Sequence, residues 1–306
     1  MRCSACSRLA VVDQPYRGSH LCGEHLTRSV EERFRRALHR QLPRFGRGTV
    51  AVALSGGKDS AVALRLTHRY LASRPGVRLV AISVDEGIEG YRSRTLTAAT
   101  QLTRALGVEH RVVRVREAYG TTTDAAAARL PTTPPCSYCG VWRRSLLNET
   151  ARSVPADALV LGFNLDDLAQ TVLMNFARGD LGRIARMAPH RAQQEGMVPR
   201  VAPLADVPER EVYLYARLTG VPFDHAECPY AGRAARNRFR EVVWQLEESM
   251  PGTRQALLRA QGEIAALIGV PTDGPARCPV CGAPSAGGPC RGCTFRRMVE
   301  PAVGTA

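Results

Sequence analysis

Residues 55–60 read Ser-Gly-Gly-Lys-Asp-Ser, and Lys58 within them is the only lysine among 42 basic residues. Arginine can replace lysine on a solvated surface. It cannot where a compact ammonium on a flexible stem must meet an oxyanion, because a guanidinium is planar and broad. A turn of serine and two glycines entering a helix aims several backbone N–H groups at one anion, and glycine lets that anion approach closely. Lys58 would neutralise a phosphate oxygen, and the Ser55 and Ser60 hydroxyls would donate to it. Asp59 is a poor neighbour for phosphate unless magnesium or the helix N-terminus offsets its charge. The spacing of a P-loop that cleaves the β–γ bond is absent, and so is the glycine fingerprint of dinucleotide sites.

The ten cysteines form three groups. Cys3 and Cys6 in C-x-x-C, followed by Cys22 and His25, make one. Cys278, Cys281, Cys290 and Cys293, two C-x-x-C turns, make another. Four ligands from paired turns close a tetrahedron, so both read as structural zinc in segments too small to fold without a staple. Cys136, Cys139 and Cys228 form the third group. Three thiolates fit a four-iron cluster with one iron open to an outside ligand such as sulfide. They also fit persulfide chemistry with a resolving cysteine, or three buried thiols acting as small apolar groups.

The elements that must hold these residues alternate in type. Buried strands are expected at 49–54 and 77–84, further strands at 108–115, 157–163 and 200–204, and helices at 61–71, 93–107, 165–178 and 208–220. Such alternation predicts an α/β fold with a doubly wound parallel sheet, whose ligands bind beyond the carboxyl ends of the strands. SGGKDS, VDEG (84–87) and LGFNLDD (161–167) all follow strands directly, so they share that edge. A helix at 29–42 with a basic outer face joins the first cysteine module to the core. Two helices interrupted at Met-Pro-Gly are expected over 237–269, then a Pro/Gly-rich linker at 271–277, with the tail after 298 disordered. The expected organisation is 1–27 zinc module, 28–48 linking helix, 49–270 catalytic domain and 271–306 zinc ribbon and tail.

Net charge is +14, a field suited to a polyanion such as nucleic acid. There is no apolar run long enough for a membrane span and no apolar leader after Met1, so cytoplasmic residence with reduced thiols is expected.

SGGKDS resembles the pyrophosphate-binding loop of the PP-loop ATPases, which cleave ATP between the α and β phosphates. PCSYCGVWRRSLLN (135–148), LGFNLDDLAQTVLMNFARGD (161–180), ECPYA (227–231) and both terminal modules resemble the branch that makes 2-thiouridine in tRNA, including T-loop ribothymidine sulfurtransferases and wobble-uridine thiolases. The resemblance covers nearly the whole chain. It implies a Rossmann-like PP-loop domain and an ATP site at Ala53, Ser55, Gly56, Gly57, Lys58, Asp59, Ser60, Ser83, Gly162 and Asp167. It implies a 4Fe–4S cluster on Cys136, Cys139 and Cys228, a catalytic role for Arg143, and magnesium or proton handling by Asp167. By position alone, Asp166 and Asp167 also fit a helix N-terminus. The implied reaction adenylates the 2-oxygen of a uridine and replaces it with sulfur. Implied partners are tRNA, a thiocarboxylated ubiquitin-like sulfur carrier and a second copy of the chain. The terminal modules and the 29–42 helix would form the tRNA surface, with Arg233, Arg236, Arg238 and Arg240 as further phosphate contacts.

One departure stands out. Phe163 occupies a place where relatives usually carry histidine, and a phenyl ring makes no hydrogen bond. It keeps a small-molecule substrate open as an alternative to tRNA. An amidating ligase would not need the three cysteines, and a zinc-ribbon RNA-binding protein would not need SGGKDS.

Overall fold

The computed structural model describes residues 1–42, 46–187, 195–268 and 275–300. The chain begins β1 (Val12–Gln14), β2 (Ser19–Leu21), α1 (Gly23–Gln41), β3 (Gly48–Ala53), α2 (Lys58–Leu71), β4 (Val77–Asp85), α3 (Arg92–Leu106) and β5 (Glu109–Arg114). It continues α4 (Val115–Tyr119), α5 (Thr123–Arg129), α6 (Pro135–Ser153), β6 (Ala158–Val160), α7 (Leu165–Phe176), α8 (Leu181–Ala185) and β7 (Arg200–Val201). It ends α9 (Glu209–Thr219), α10 (Arg236–Ser249), α11 (Thr253–Ile268), β8 (Ala276–Arg277), β9 (Pro284–Ser285) and α12 (Arg291–Val299).

The central sheet has the order β5-β4-β3-β6-β7, and every pairing is parallel. Both faces of the central strands are covered, which is why β3, β4 and β6 are mostly apolar, whereas the edge strand β5 (Glu109–Arg114) is largely polar and has no fully buried residue. Along β3, Val50 and Val52 enter one core with α1, α2 and α9, while Ala51 enters the opposite core with α6. In β4, Leu79 and Ala81 take the first side and Val80 and Ile82 the second. The chain winds outward through β4 and β5, then restarts beyond β3 with β6. The crevice between the ends of β3 and β6 is therefore the switch point where such sheets bind ligands.

Local chemistry sets the helix ends. Gly107 and Gly220, at φ 63° and 64°, close α3 and α9 in the left-handed conformation, as their sequence positions predict. The helix expected at 29–42 begins earlier, at Gly23, with Cys22 in extended conformation at the N-cap position, so His25 rides on its first turn. The strands expected at 157–163 and 200–204 shrink to Ala158–Val160 and Arg200–Val201. The 271–274 part of the expected linker lies outside the described residues. The expectation of disorder after 298 is corrected at Val299, which ends α12 and is buried against α6; 301–306 lie outside the described residues.

The terminal modules brace different parts of the sheet. On the N-terminal side, Tyr16 donates to Glu211 Oε1 at 2.5 Å, and the buried Arg33 of α1 pairs with the other carboxylate oxygen, fixing the start of α9. On the C-terminal side, Trp142 Nε1 of α6 donates to Gly292 O at 3.3 Å, and Tyr138 and Trp142 share an aromatic cluster with Phe295 of α12.

Candidate functional site

The SGGKDS loop leaves β3 and enters α2, whose first residue is Lys58. Gly56 has φ +89°, and a Cβ there would lie 1.9 Å from the Thr95 carbonyl oxygen, so glycine is required by conformation and by space. The loop folds back on itself. The Ser55 and Ser60 hydroxyls lie 2.9 Å apart, and Ser60 Oγ donates to Gly57 O at 3.0 Å. Ser83 Oγ donates to Leu54 O at 2.6 Å and sits 2.8 Å from His110 Nε2, holding the end of β4 beside the loop. A Cβ on Gly162 would be 2.8 Å from the Ser60 nitrogen, so the strand end after β6 lies directly on the start of α2. Phe163, next to it, is 42% exposed.

Lys58 Nζ reaches Asp59 Oδ2 at 3.0 Å and Glu209 Oε1 at 2.7 Å. Burial disfavours its charge, but the two carboxylates more than offset that and hold the ammonium above its usual range. Burial raises Asp59, although Lys58 and the Asn164 amide, 3.0 Å away, oppose the shift. Asp167 forms a capping box with Asn164 at the head of α7. Burial first, then the nearby Asp59 charge, pushes its carboxyl up to about 6, with Arg236 at 3.4 Å pulling the other way. Asp166 is spent structurally: it accepts from the Glu209 N–H at 2.7 Å and pairs with Arg254 at 2.5 Å. A cavity of about 660 Å³ opens beside Lys58, lined by Tyr16, Glu209 and Trp244 among others. Its walls carry more carboxylates than cations, a poor match for a triphosphate.

Cys136 and Cys139 occupy the first turns of α6, which sequence periodicity had not singled out as a helix. Cys228 arrives on the segment after α9. That segment is pinned to the loop by Asp224 N donating to Gly56 O at 2.9 Å, and to α5 by Tyr230 Oη donating to Asp124 Oδ1 at 2.7 Å. The three thiols fall within electrostatic reach of one another: Cys136 acts on Cys228, and Cys228 on Cys139. They do not crowd within the 4.8 Å that encloses each terminal ligand set. Burial, aided by Glu86, pushes the Cys139 thiol up to about 11, against Arg143 and Thr123. Thr123 Oγ1 and Tyr138 Oη beside it are buried without a well-aligned partner, a polar lining that thiolates or sulfide would satisfy.

Arg143, one turn after Cys139, meets the buried Glu86 at 3.5 Å. Sequence reasoning placed VDEG at this edge but gave Glu86 no role. It also missed Arg92, Thr123 and Glu209, whose importance depends on partners far away in sequence. Of the arginines expected to meet phosphate, Arg236 turns inward to Asp167, Arg240 lies 3.7 Å from Glu209, Arg233 donates to Pro131 O at 2.9 Å, and Arg238 stays exposed.

The terminal groups converge tightly. Cys22 Sγ and Cys3 Sγ lie 3.3 and 3.5 Å from His25 Nδ1, and Cys6 Sγ is 3.7 Å from Cys22 Sγ. Cys278–Cys293 and Cys281–Cys290 are 3.9 and 3.7 Å apart. All ten cysteines are free of disulfides.

Comparison with known proteins agrees with this arrangement. The PP-loop domain model matches residues 26–247, and the model of the N-terminal LIM domain of the 2-thiouridine synthetase TtuA matches 2–27. The tRNA 2-thiolation protein NcsA of Haloferax volcanii is 38% identical across 98% of this chain and 99% of its own. The tRNA-5-methyluridine(54) 2-sulfurtransferase of Pyrococcus horikoshii is 32% identical across 96% and 93%. The solved structure of the U34-tRNA thiolase NcsA from Methanococcus maripaludis with its [4Fe-4S] cluster superposes with a TM-score of 0.85 at 31% identity, over 98% of this chain and 97% of that one. With the PP-loop domain model matched over residues 26–247 and these relatives matched over nearly their full length, the chain belongs to the PP-loop family of tRNA 2-thiolation sulfurtransferases.

Proposed function

We infer that the chain uses ATP to replace the 2-oxygen of a tRNA uridine with sulfur. The observation that carries this reading is the shared edge: the SGGKDS loop and the Cys228 segment are joined by the Asp224–Gly56 hydrogen bond, and Cys139 and Cys228 both feel the Glu86 carboxylate that pairs with Arg92. The loop amides, the Ser55 and Ser60 hydroxyls and Lys58 would hold the β and γ phosphates, with Ala53, Gly57, Ser83 and Gly162 walling the nucleotide. The uridine O2 attacks the α-phosphorus and pyrophosphate departs, its growing charge met by Lys58 and the amides. Magnesium, held by Asp167 with Asp59 nearby, would supply further charge on the leaving group. Sulfide then adds at C2 and AMP leaves with the original oxygen. Free of magnesium, Asp167, its carboxyl pushed up to about 6 by burial, would instead accept a proton at neutral pH.

A 4Fe–4S cluster on Cys136, Cys139 and Cys228 would supply an open iron for sulfide. Arg143 would steady anionic charge beside them. In the terminal modules the contacts of 3.7–3.9 Å between sulfurs match the edge of a tetrahedron with bonds of about 2.3 Å, which supports zinc. The sulfur source would be a thiocarboxylated carrier protein or another sulfide donor.

The test is mass spectrometry of tRNA nucleosides from a deletion strain, paired with tRNA-dependent pyrophosphate release by the anaerobically purified chain. Loss of one 2-thiouridine nucleoside is expected and names the modified position. An unchanged nucleoside profile overturns the reading in favour of a small-molecule substrate.

A further inference from the structure

Glu86 follows β4 directly and is 3% exposed. A carboxylate that deep must be compensated, and it has a cation at each oxygen: Arg92 Nε lies 3.0 Å from Oε2, and Arg143 Nη1 lies 3.5 Å from Oε1. Each cation leads to a different half of the site. Arg92, itself buried, donates to the Ser55 carbonyl at 2.6 Å and to Thr95 Oγ1 at 2.9 Å. A Cβ on Gly56 would lie 1.9 Å from the Thr95 carbonyl oxygen, so the nucleotide loop packs directly on the start of α3. Arg143 sits on α6 among the cysteines and feels the charges of Cys139 and Cys136.

A carboxylate serving only to fill the core would be held by paired, aligned hydrogen bonds. Glu86 is not. Its Oε2 and Arg92 Nε are out of hydrogen-bond alignment, and the Arg143 contact is long, on a side chain 49% exposed. The carboxylate is therefore shared between two guanidiniums, and a pull on either changes its hold on the other. A polyanion binding at the loop is such a pull, because it competes with Glu86 for the field around Arg92.

We propose that Glu86 is a positioning residue that couples the two half-sites, relaying occupation of the nucleotide loop through Ser55 O, Arg92 and its own shared carboxylate to Arg143 beside the cysteines. The coupling rests on the function proposed above. It would place the cation at the sulfur site only when ATP is present, keeping sulfide from being released without an activated acceptor.

The experiment uses the full chain, loaded anaerobically with its cluster, and α,β-methylene-ATP with magnesium as the probe. The electron paramagnetic resonance spectrum and midpoint potential of the reduced cluster are recorded with and without nucleotide. Wild type should shift on adding the analogue. Glu86→Gln should bind the analogue within about threefold of wild type, under 1 kcal/mol, yet show no shift, and Glu86→Asp should restore part of it. Arg143→Met, on a half-exposed residue, should lose the shift from the far end and covers the case in which Glu86→Gln does not fold. A Glu86→Gln spectrum that responds as wild type does overturns the coupling, and so does a wild-type chain that holds cluster and nucleotide without responding. A wild-type chain that takes up no cluster or no nucleotide instead sinks the proposed function, and the coupling with it.

Discussion

At the scale of single residues, the solitary lysine is held by two carboxylates rather than left free. Lys58 is only 21% exposed, and its ammonium is pre-aimed by Asp59 and Glu209 at 3.0 and 2.7 Å. A guanidinium would have to satisfy the same pair with a planar fork, and it would carry its charge to a different point. Lys58→Arg should therefore lower kcat/KM for pyrophosphate release about as far as Lys58→Ala does, by roughly 10²-fold, the usual loss for one group that stabilises developing charge. An arginine variant with near-normal turnover would mean that the position needs only a positive charge. Asp167 gives a second prediction. Its carboxyl lies near 6 instead of the ordinary 3.8, and only the ionised form accepts a proton or holds a metal. The kcat/KM profile, which reports the free enzyme, should thus fall on the acid side with a midpoint near 6, full above it and lost below. Arg236 opposes the upward shift, so Arg236→Met should move that limb to higher pH. A limb that stays put would separate Arg236 from the titrating group.

At the scale of elements, the site is made where strands stop. β3 and β6 end within one residue of each other, Val52 opposite Val160 with Ala53 last, while β4 runs from Ile82, opposite Ala53, three residues further to Asp85, so their loops emerge at one edge of the sheet. This much was legible, because buried parallel strands write continuous apolar runs and the motifs follow them at once. The α6 helix was not legible as a helix. It follows Pro134 and opens on Pro135, its first turns carry two cysteines, a serine and a glycine, and its buried Tyr138 and Trp142 face a module 150 residues away. Cys228 could be paired with Cys136 and Cys139 only by analogy, since its place depends on Asp224 gripping the Gly56 carbonyl. The same logic predicts a division of labour between the terminal modules. The C-terminal module packs on α6 through Trp142 and Phe295, whereas the N-terminal module braces α9. Replacing Cys290 with serine should loosen α6 and cut iron content, with nucleotide affinity changed by less than about threefold. Equal loss of iron and nucleotide binding would show that the module supports the whole sheet instead.

At the scale of the whole molecule, charge is the dominant fact: +14 overall, with an acid-lined cavity beside Lys58 as the local exception. The surplus therefore lies outside the chemistry. On α1, Leu26, Val30, Phe34, Ala37 and Leu38 are buried, while Arg28, Arg35, Arg36, His39 and Arg40 face solvent. Arg28 is drawn to Glu24 at 3.7 Å and Arg40 to Asp206 at 2.8 Å, which leaves Arg35 and Arg36 as the uncompensated centre of a cationic ridge on this face. If this ridge carries the tRNA backbone, each phosphate it neutralises releases condensed counterions, and affinity must fall with salt. Six or more such contacts would weaken binding by about 10³-fold between 50 and 200 mM salt. Arg35→Ala combined with Arg36→Ala should flatten the log–log slope by about two while leaving ATP binding untouched, because neither side chain reaches the loop. Fluorescence anisotropy of labelled tRNA across a salt series measures both numbers. A slope identical to wild type would move the docking face elsewhere, to Arg238 and the exposed side of α10.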